Sequence, residues 1–315
     1  MPAARRRRLV DARNAVLIVL PSSAWRTLKG RYHRSRRKLH RRLLEPLLVG
    51  RPTLRDTVMR AMAARGHLVL CDLDDIRLFV DPSDRAIGAE VIWLGGYQRR
   101  EFDRAMALLA AAERLPPAAL FLELGANIGT HTLYAMRSGR FARAVVFEPE
   151  PHNARLLAMN LDINGLTERV ILVPKAAGAA AGRAFLHRHP RNKGAHAIGF
   201  APTEDGLDRV EVAVVRADDA LRELGVAPAD VGLVWMDVEG YEPQALAGLG
   251  EILAHAVPIV FEFSPRRYDA ATKRRLIERL AAYYTHMHSL ADAAARPAPI
   301  GALASITERE DVLVY

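Results

Sequence analysis

The segment Phe121-Leu122-Glu123-Leu124-Gly125-Ala126-Asn127-Ile128-Gly129-Thr130 is an apolar run that passes straight into a glycine turn. At such a junction a strand hands over to a helix whose first N–H groups are free to receive an anion. Gly125 would let a ligand approach the backbone closely, and Gly129 would let the helix begin near the strand. Asn127 stands where the dinucleotide fingerprint has its second glycine, the one that admits a pyrophosphate. The turn therefore suits a ligand without a pyrophosphate. A purely structural turn is the competing reading, since strand–glycine–helix junctions are common. Glu148, nineteen residues beyond Gly129, closes the next apolar run in Phe147-Glu148-Pro149. A carboxylate there is placed to accept two hydrogen bonds from ribose hydroxyls.

S-adenosylmethionine (SAM) meets both requirements, with a ribose for Glu148 and a carboxylate for the helix start. The residues expected to hold it are Glu123, Gly125, Ala126, Asn127, Gly129, Thr130, Glu148, Ala176 and Asp237. Ala176 belongs to Lys175-Ala176-Ala177, which follows the third strand where adenine should lie. A second group of acids sits in Met236-Asp237-Val238-Glu239-Gly240-Tyr241-Glu242 and Phe261-Glu262-Phe263. Clustered carboxylates raise one another's pKa, so one of them would serve as a general base. Asp237, Glu239 and Glu262 are the expected catalytic residues, with Asp237 on the cofactor side and Glu239 on the acceptor side. Glu242 reads better as a cap for the following helix.

These residues need a scaffold that brings strand ends together. After Pro117 short apolar runs alternate with helical spacing, which predicts βαβ units and a doubly wound, mostly parallel sheet. Its seven expected strands are Ala119–Leu124, Ala144–Glu148, Val170–Pro174, Leu233–Asp237, Ile259–Phe263, Tyr284–His288 and Asp311–Tyr315. Helices are expected at Ile128–Ser138, His152–Asn164, Glu242–Ala254 and Ala270–Ala282. The segment Gly178–Arg216 is too long for an ordinary crossover and reads as an insertion over the sheet edge. The division expected is a basic, partly helical extension over 1–65, a β-rich and helical lead-in over 66–117, and the α/β domain over 118–315. In the lead-in, Ile76–Val80 and Val91–Leu94 are expected as strands, and Arg100–Arg114 as a helix that Pro116-Pro117 stops.

Charge is divided unevenly along the 315 residues. Residues 1–60 hold 17 Lys/Arg against three acids, a net +14, and the remainder holds 28 against 33, a net −5. A nucleic-acid enzyme needs a positive channel for phosphates, and the body offers none, so no nucleic-acid partner is expected. Within the extension, Leu39, Leu43 and Leu47 share one helical stripe from Arg31 to Val49. That pattern suits either a solvated helix or peripheral contact with an anionic membrane surface. Cys71 is the sole cysteine, which rules out an intramolecular disulfide and fits a cytoplasmic location. The run Ala15–Leu20 is too short for a signal-peptide core, and no stretch approaches the ~20 apolar residues of a transmembrane helix.

The glycine turn Glu123–Thr130, Glu148, the Asp237-Val238-Glu239-Gly240-Tyr241-Glu242 block, Phe261-Glu262 and the terminal Asp311–Tyr315 run resemble the FkbM-type methyltransferases over residues 78–315. The resemblance implies a class I (Rossmann-like) methyltransferase fold, SAM as donor, and a hydroxyl acceptor on a sugar, glycan or secondary metabolite. Many members of that family have lysine two positions before the aspartate, where this chain has Trp235.

Two other functions fit parts of the pattern. A nicotinamide-dependent oxidoreductase would need the glycine missing at Asn127, and a non-catalytic nucleotide-binding protein would keep the fold without turnover. A base-directed amino-methyltransferase would resemble enzymes with an Asp/Asn-Pro-Pro-aromatic motif, which is nowhere present. His187, His189 and His196 share a polar loop with Arg188, Arg191 and Lys193; their spacing matches no standard metal motif, and a substrate-facing loop or, better, a plain exposed loop is expected. A divalent cation on Asp237, Glu239 and Glu262 is the stronger metal option, because hard cations take carboxylate oxygens. No metal is assigned.

Overall fold

The computed structural model describes residues 52–198, 208–292 and 296–315. The basic stretch Arg31–Val49 lies outside the described residues. The chain divides into two units, Met1–Val58 and Met59–Tyr315. The first helix described, α1, spans Pro52–Ala63. The second unit then forms a hairpin, β1 (Val69–Asp72) and β2 (Arg77–Val80), followed by α2 (Ile87–Leu94) and α3 (Arg99–Ala111). Val91–Leu94, expected as a strand, is thus the end of a helix. Asp84 explains the start, because its carboxylate accepts from the N–H groups of Ala86 at 3.0 Å and Gly88 at 2.9 Å. Gly95 ends the helix in the left-handed region at φ 83, with its N–H returning to Val91 O.

From Ala119 the chain alternates as expected: β3 (Ala119–Leu124), α4 (Thr130–Arg137), β4 (Phe141–Phe147), α5 (Pro151–Ile163) and β5 (Val170–Val173). Next come the short strands β6 (Ala176–Ala177), β7 (Gly182–His187) and β8 (Ala197–Ile198), then β9 (Arg209–Val215) and α6 (Ala217–Glu223). The rest comprises β10 (Val231–Met236), α7 (Glu242–Ala247), α8 (Gly250–Ala254), β11 (Ile259–Phe263), α9 (Ala270–Ala281), β12 (His286–Ser289), β13 (Ala298–Pro299) and β14 (Glu310–Val314). A single helix over Glu242–Ala254 was expected and two are found. The break falls at Gly248, where a Cβ would stand 2.2 Å from the carbonyl oxygen of Gly178.

The main sheet has the order β13-β12-β14-β11-β10-β3-β4-β5. It holds eight strands rather than seven, because the two-residue β13 pairs with β12 at one edge. β5, β4, β3, β10 and β11 are parallel, and β14 enters antiparallel between β11 and β12. Every residue of β3, β10 and β11 is buried, as expected of central strands covered on both faces. One face packs on α6 to α9 through residues such as Leu221, Leu246, Ile252 and Leu280. The other packs on α4, α5 and the lead-in, with Leu78, Val91, Phe102, Leu133 and Leu157 in one cluster. The lead-in therefore shares a core with the sheet.

The chain runs outward from β3 to β5 and then returns to β10 on the far side of β3. That reversal opens a crevice at the carboxyl ends of β3 and β10, the place where open α/β sheets bind ligands. The insertion adds no strand to the main sheet. It forms a separate sheet, β6-β9-β7-β8, whose loop from Arg188 to His196 is tied over this crevice. The tie is specific: Lys193 O accepts from Asn127 Nδ2 at 3.0 Å and from Asn153 Nδ2 at 3.2 Å.

Candidate active site

The cofactor turn is built by backbone hydrogen bonds that the glycines permit. The N–H groups of Gly125 and Ala126 both donate to Phe147 O at 2.9 Å, which locks the end of β3 to the end of β4. Gly125 has φ 87, and a Cβ on it would stand 1.9 Å from Asp237 O. Its need for glycine thus comes from the neighbouring strand before any ligand is considered. Gly129, at φ 90, would bring a Cβ to 2.4 Å from Leu157 Cδ1, so it admits α5 rather than only the start of α4. Asn127 takes the left-handed conformation at φ 50, which asparagine tolerates better than most residues. Its Oδ1 accepts from Ile128 N at 2.8 Å. Gly129 caps α4 without a side-chain bond, leaving the first N–H groups of that helix available.

Glu148 lies across from this turn and is buried. Its Oε2 accepts from Asn127 N at 2.7 Å and its Oε1 from Glu150 N at 2.8 Å. Burial outweighs these bonds and pushes its carboxyl up to about 8. Gly125, Asn127, Glu148, Ala176, Asp237 and Glu239 line one cavity. Lys193, Gly194 and His196 close it from the insertion. Glu123, Ala126, Gly129, Thr130 and Glu262 are not in its wall. Glu123 is buried beneath the turn, accepts from Thr132 Oγ1, and has His131 Nδ1 3.5 Å away. Glu262 accepts from Ser264 Oγ at 2.7 Å and pairs with Arg309 at 3.1 Å. Glu242, expected as a cap, is instead the first residue of its helix: it accepts from Gly240 N at 3.1 Å in the preceding loop and from Tyr268 Oη, and the cap position, Tyr241, makes no side-chain bond.

The acids of β10, β11 and β14 gather because the strands hold them in register. Met236 stands opposite Phe261 and Glu262 opposite Asp311, which sets Asp237 beside the last pair. Burial, followed by Glu262, Glu239 and Asp311, holds the Asp237 carboxyl well above the usual carboxylate range. Glu239 is pushed up to about 7 by burial and Glu262, against the opposing charge of Arg267. Arg267 grips Glu239 twice, at its carbonyl oxygen at 2.8 Å and at Oε2. Ligand oxygens of Asp237, Glu239 and Glu262 come within 4.8 Å of one another. Two of these three already carry an arginine, and the third, Asp237, keeps a buried Oδ1 with no hydrogen-bond partner. Such an oxygen fits a cationic ligand. In the cavity, Glu148 and Asp237 thus offer acceptors of the kind that the ribose and the positive charge of SAM call for.

Arg267 and Arg309 escaped the sequence reading. The arginines lie 28 and 47 residues after the acids they pair with, and no periodicity links them. The roof had a signal in its histidines. His189 Nδ1 accepts from Asn192 N at 2.9 Å and His196 Nδ1 from His189 N at 3.0 Å, so they shape the loop. Trp235, where relatives of the resembled family have lysine, is buried and stacks on His131 at 4.4 Å between ring centroids.

A Rossmann-like sheet reversed at β3/β10, with a glycine turn after β3 and acids at the carboxyl ends of β4 and β10, defines a class I methyltransferase fold. Residues 123–291 match the Methyltransferase FkbM domain. The chain belongs to this SAM-dependent methyltransferase family. A search of curated proteins finds no sequence match. Among solved structures it is similar to the methyltransferase FkbM from Methylobacillus flagellatus KT, at 14% identity and TM-score 0.41, covering 82% of this chain and 58% of that one. The chain thus spans less than two thirds of that relative. It is also similar to a SAM-dependent methyltransferase from Agrobacterium tumefaciens, at 11% identity and TM-score 0.42, covering 79% and 70%. An RNA methyltransferase from Salinibacter ruber in complex with S-adenosyl-L-homocysteine shows 13% identity and TM-score 0.30, covering 52% and 74%. No helix among the described residues is long and apolar enough to cross a membrane.

Proposed function

We propose that this protein transfers the methyl group of SAM to a hydroxyl on a sugar, glycan or secondary metabolite. The observation that carries the reading is the single cavity in which the Gly125 turn, Glu148, Asp237 and Glu239 meet. When bound, SAM supplies an electrophilic methyl on a positively charged sulfur. Glu148 accepts the ribose hydroxyls with the lone pairs its backbone bonds leave free. The first N–H groups of α4 take the carboxylate. Asp237 offers its unpartnered oxygen to the positive charges of the ligand.

An alcohol is a poor nucleophile and needs a base as the new bond forms. Glu239 fits that task. Arg267 fixes one of its oxygens, Oε1 has no hydrogen-bond partner among the described residues, and a carboxyl near 7 exchanges its proton at neutral pH. Glu262 supports it through shared charge. The basic N-terminal extension would hold the enzyme against an anionic membrane surface, where its net +14 over residues 1–60 has a counterpart.

The test is incubation of the purified chain with isotopically labelled SAM and a panel of glycans, hydroxylated metabolites and cell extract, read by mass spectrometry. Label on an acceptor oxygen supports the reading. Label on nitrogen or carbon, or reduction dependent on NAD, overturns it.

A further inference from the structure

Resting on the SAM reading, we propose that His196 donates a hydrogen bond from Nε2–H to the adenosine part of the cofactor. His196 belongs to the roof loop and lines the cavity together with Glu148, Ala176 and Ala177. Its Nδ1 is already an acceptor for the backbone N–H of His189 at 3.0 Å. A neutral imidazole whose Nδ1 accepts must carry its proton on Nε2. The ring is neutral at working pH, because burial brings its pKa down to about 4. Nε2 has no hydrogen-bond partner among the described residues. The ring therefore presents a donor of fixed tautomer that the protein itself does not use.

Elimination among the wall residues leads to the same atom. Glu148, Asp237 and Glu239 are assigned by the SAM reading to the ribose, the positive charge and the acceptor, so none is left for the purine, whose ring nitrogens are acceptors. The side-chain donors in the wall are Asn127, Asn153, Lys193, His196 and Tyr241. Asn127 and Asn153 direct their amides at Lys193 O, and Lys193 Nζ is 2.9 Å from Asp81 Oδ2. His196 and Tyr241 remain; the Tyr241 hydroxyl turns freely about its C–O bond, whereas the His196 donor is fixed, and it lies in the same wall as Phe147, Ala176, Leu186 and Ile198, which offer apolar surface suited to a planar ring.

The loop that carries His196 is held firmly enough for this task. Arg188 pairs with the buried Glu150 at 2.7 Å, and Arg85 N donates to Arg191 O at 2.7 Å. A donor fixed before binding loses little freedom when the ligand arrives.

Two substitutions separate ligand recognition from loop maintenance. His196→Asn places a carbonyl oxygen near the position of Nδ1 and so keeps an acceptor for His189 N while losing the donor at Nε2. His196→Gln reaches the position of Nε2 with an N–H and gives up the loop bond. Calorimetry with S-adenosylhomocysteine (SAH) on the full chain reads both, with circular dichroism melting to verify folding. The expected result is a Kd about two- to tenfold weaker for His196→Asn, the range of one neutral hydrogen bond, and near wild-type for His196→Gln. The opposite order, or unchanged binding in both, overturns the assignment. A wild-type chain that binds no SAH overturns the cofactor reading itself, and the assignment with it.

Discussion

The carbonyl oxygen of Asp237 occupies the space that a Cβ on Gly125 would need, 1.9 Å away. The end of β10 thus presses directly on the turn after β3, and the two residues fix each other's place at the mouth of the cavity. Asp237 N donating to Leu124 O at 3.0 Å completes the contact. Gly125→Ala should accordingly fail as a fold before it fails as a binding site. Its left-handed φ alone costs about 1–3 kcal/mol in a residue with a Cβ, and the collision is with backbone. Gly129→Ala has the same φ penalty but meets only the flexible end of Leu157. Thermal melting should place Gly125→Ala clearly below Gly129→Ala. Equal melting temperatures would remove the strand contact from the explanation.

Glu148 serves the turn and the ligand together. Glu148→Ala strands the N–H groups of Asn127 and Glu150, each left without its acceptor at a cost of about 1–3 kcal/mol. Glu148→Gln keeps one acceptor oxygen and should retain the fold while weakening SAH by about tenfold or more, on the loss of one charge-assisted bond. Calorimetry on the Gln variant is the check. Unchanged affinity would move the ribose elsewhere.

Much of this arrangement was legible in sequence where a single strand or turn decides it. The strands Ala119–Leu124 and Ile259–Phe263 are found at the expected bounds, because an apolar run interrupted by a single acid and closed by a turn leaves few alternatives. The positions of Gly125, Glu148, Asp237 and Glu239 follow from strand order, since parallel strands present their carboxyl ends on one edge. What pairing at long range decides was not legible. β7 pairs antiparallel with β9 to build the roof, and Arg309 reaches Glu262 only because β14 is threaded beside β11. α2 was misjudged because eight residues of mixed apolar character carry no clear period, and Asp84 decides the outcome from outside it.

The buried acids make stability depend on pH in a definite direction. Glu148, Glu239 and Asp311 are raised to about 8, 7 and 6, above their ordinary values near 4. Between those limits the folded protein binds more protons than the unfolded chain, so unfolding becomes easier as pH rises. The stabilisation is complete below about pH 4 for these groups and fades through pH 6 to 8. Melting temperature of the cofactor-free protein should fall across that window. Saturating SAM, which brings positive charge to ionised acids, should raise it more at pH 8 than at pH 6. A melting temperature that climbs with pH would contradict the placement of these carboxyls.

Removal of residues 1–50 should leave SAM affinity unchanged and abolish salt-sensitive binding to anionic vesicles, to which each Lys/Arg near the surface contributes about 1 kcal/mol. Sedimentation with phosphatidylserine vesicles at low and high salt measures it. Equal binding by the full and shortened chains would assign the extension to a solvated role.

The chemical assignment rests on the difference between two neighbouring acids. Asp237 keeps a buried oxygen without a partner, whereas Glu239 is gripped by Arg267 at one oxygen and free at the other. A free buried carboxylate is the better partner for a permanent cation, and a carboxylate poised near 7 is the better acceptor of a proton. Asp237→Asn should therefore weaken SAM and slow turnover together. Glu239→Gln should bind SAM normally and lose about 10²–10⁴-fold in turnover, the usual worth of general base catalysis. The wild-type rate should rise with pH through about 7 as Glu239 ionises, and that limb should vanish in the Gln variant. Arg267 supplies an independent control. Its charge lowers the Glu239 carboxyl, so Arg267→Met should move the limb to higher pH without abolishing it. Rates measured on an acceptor from the labelled-SAM screen decide the matter. A limb that stays in place in Arg267→Met, together with near-normal turnover by Glu239→Gln, would pass the role of base to Glu262 or His131.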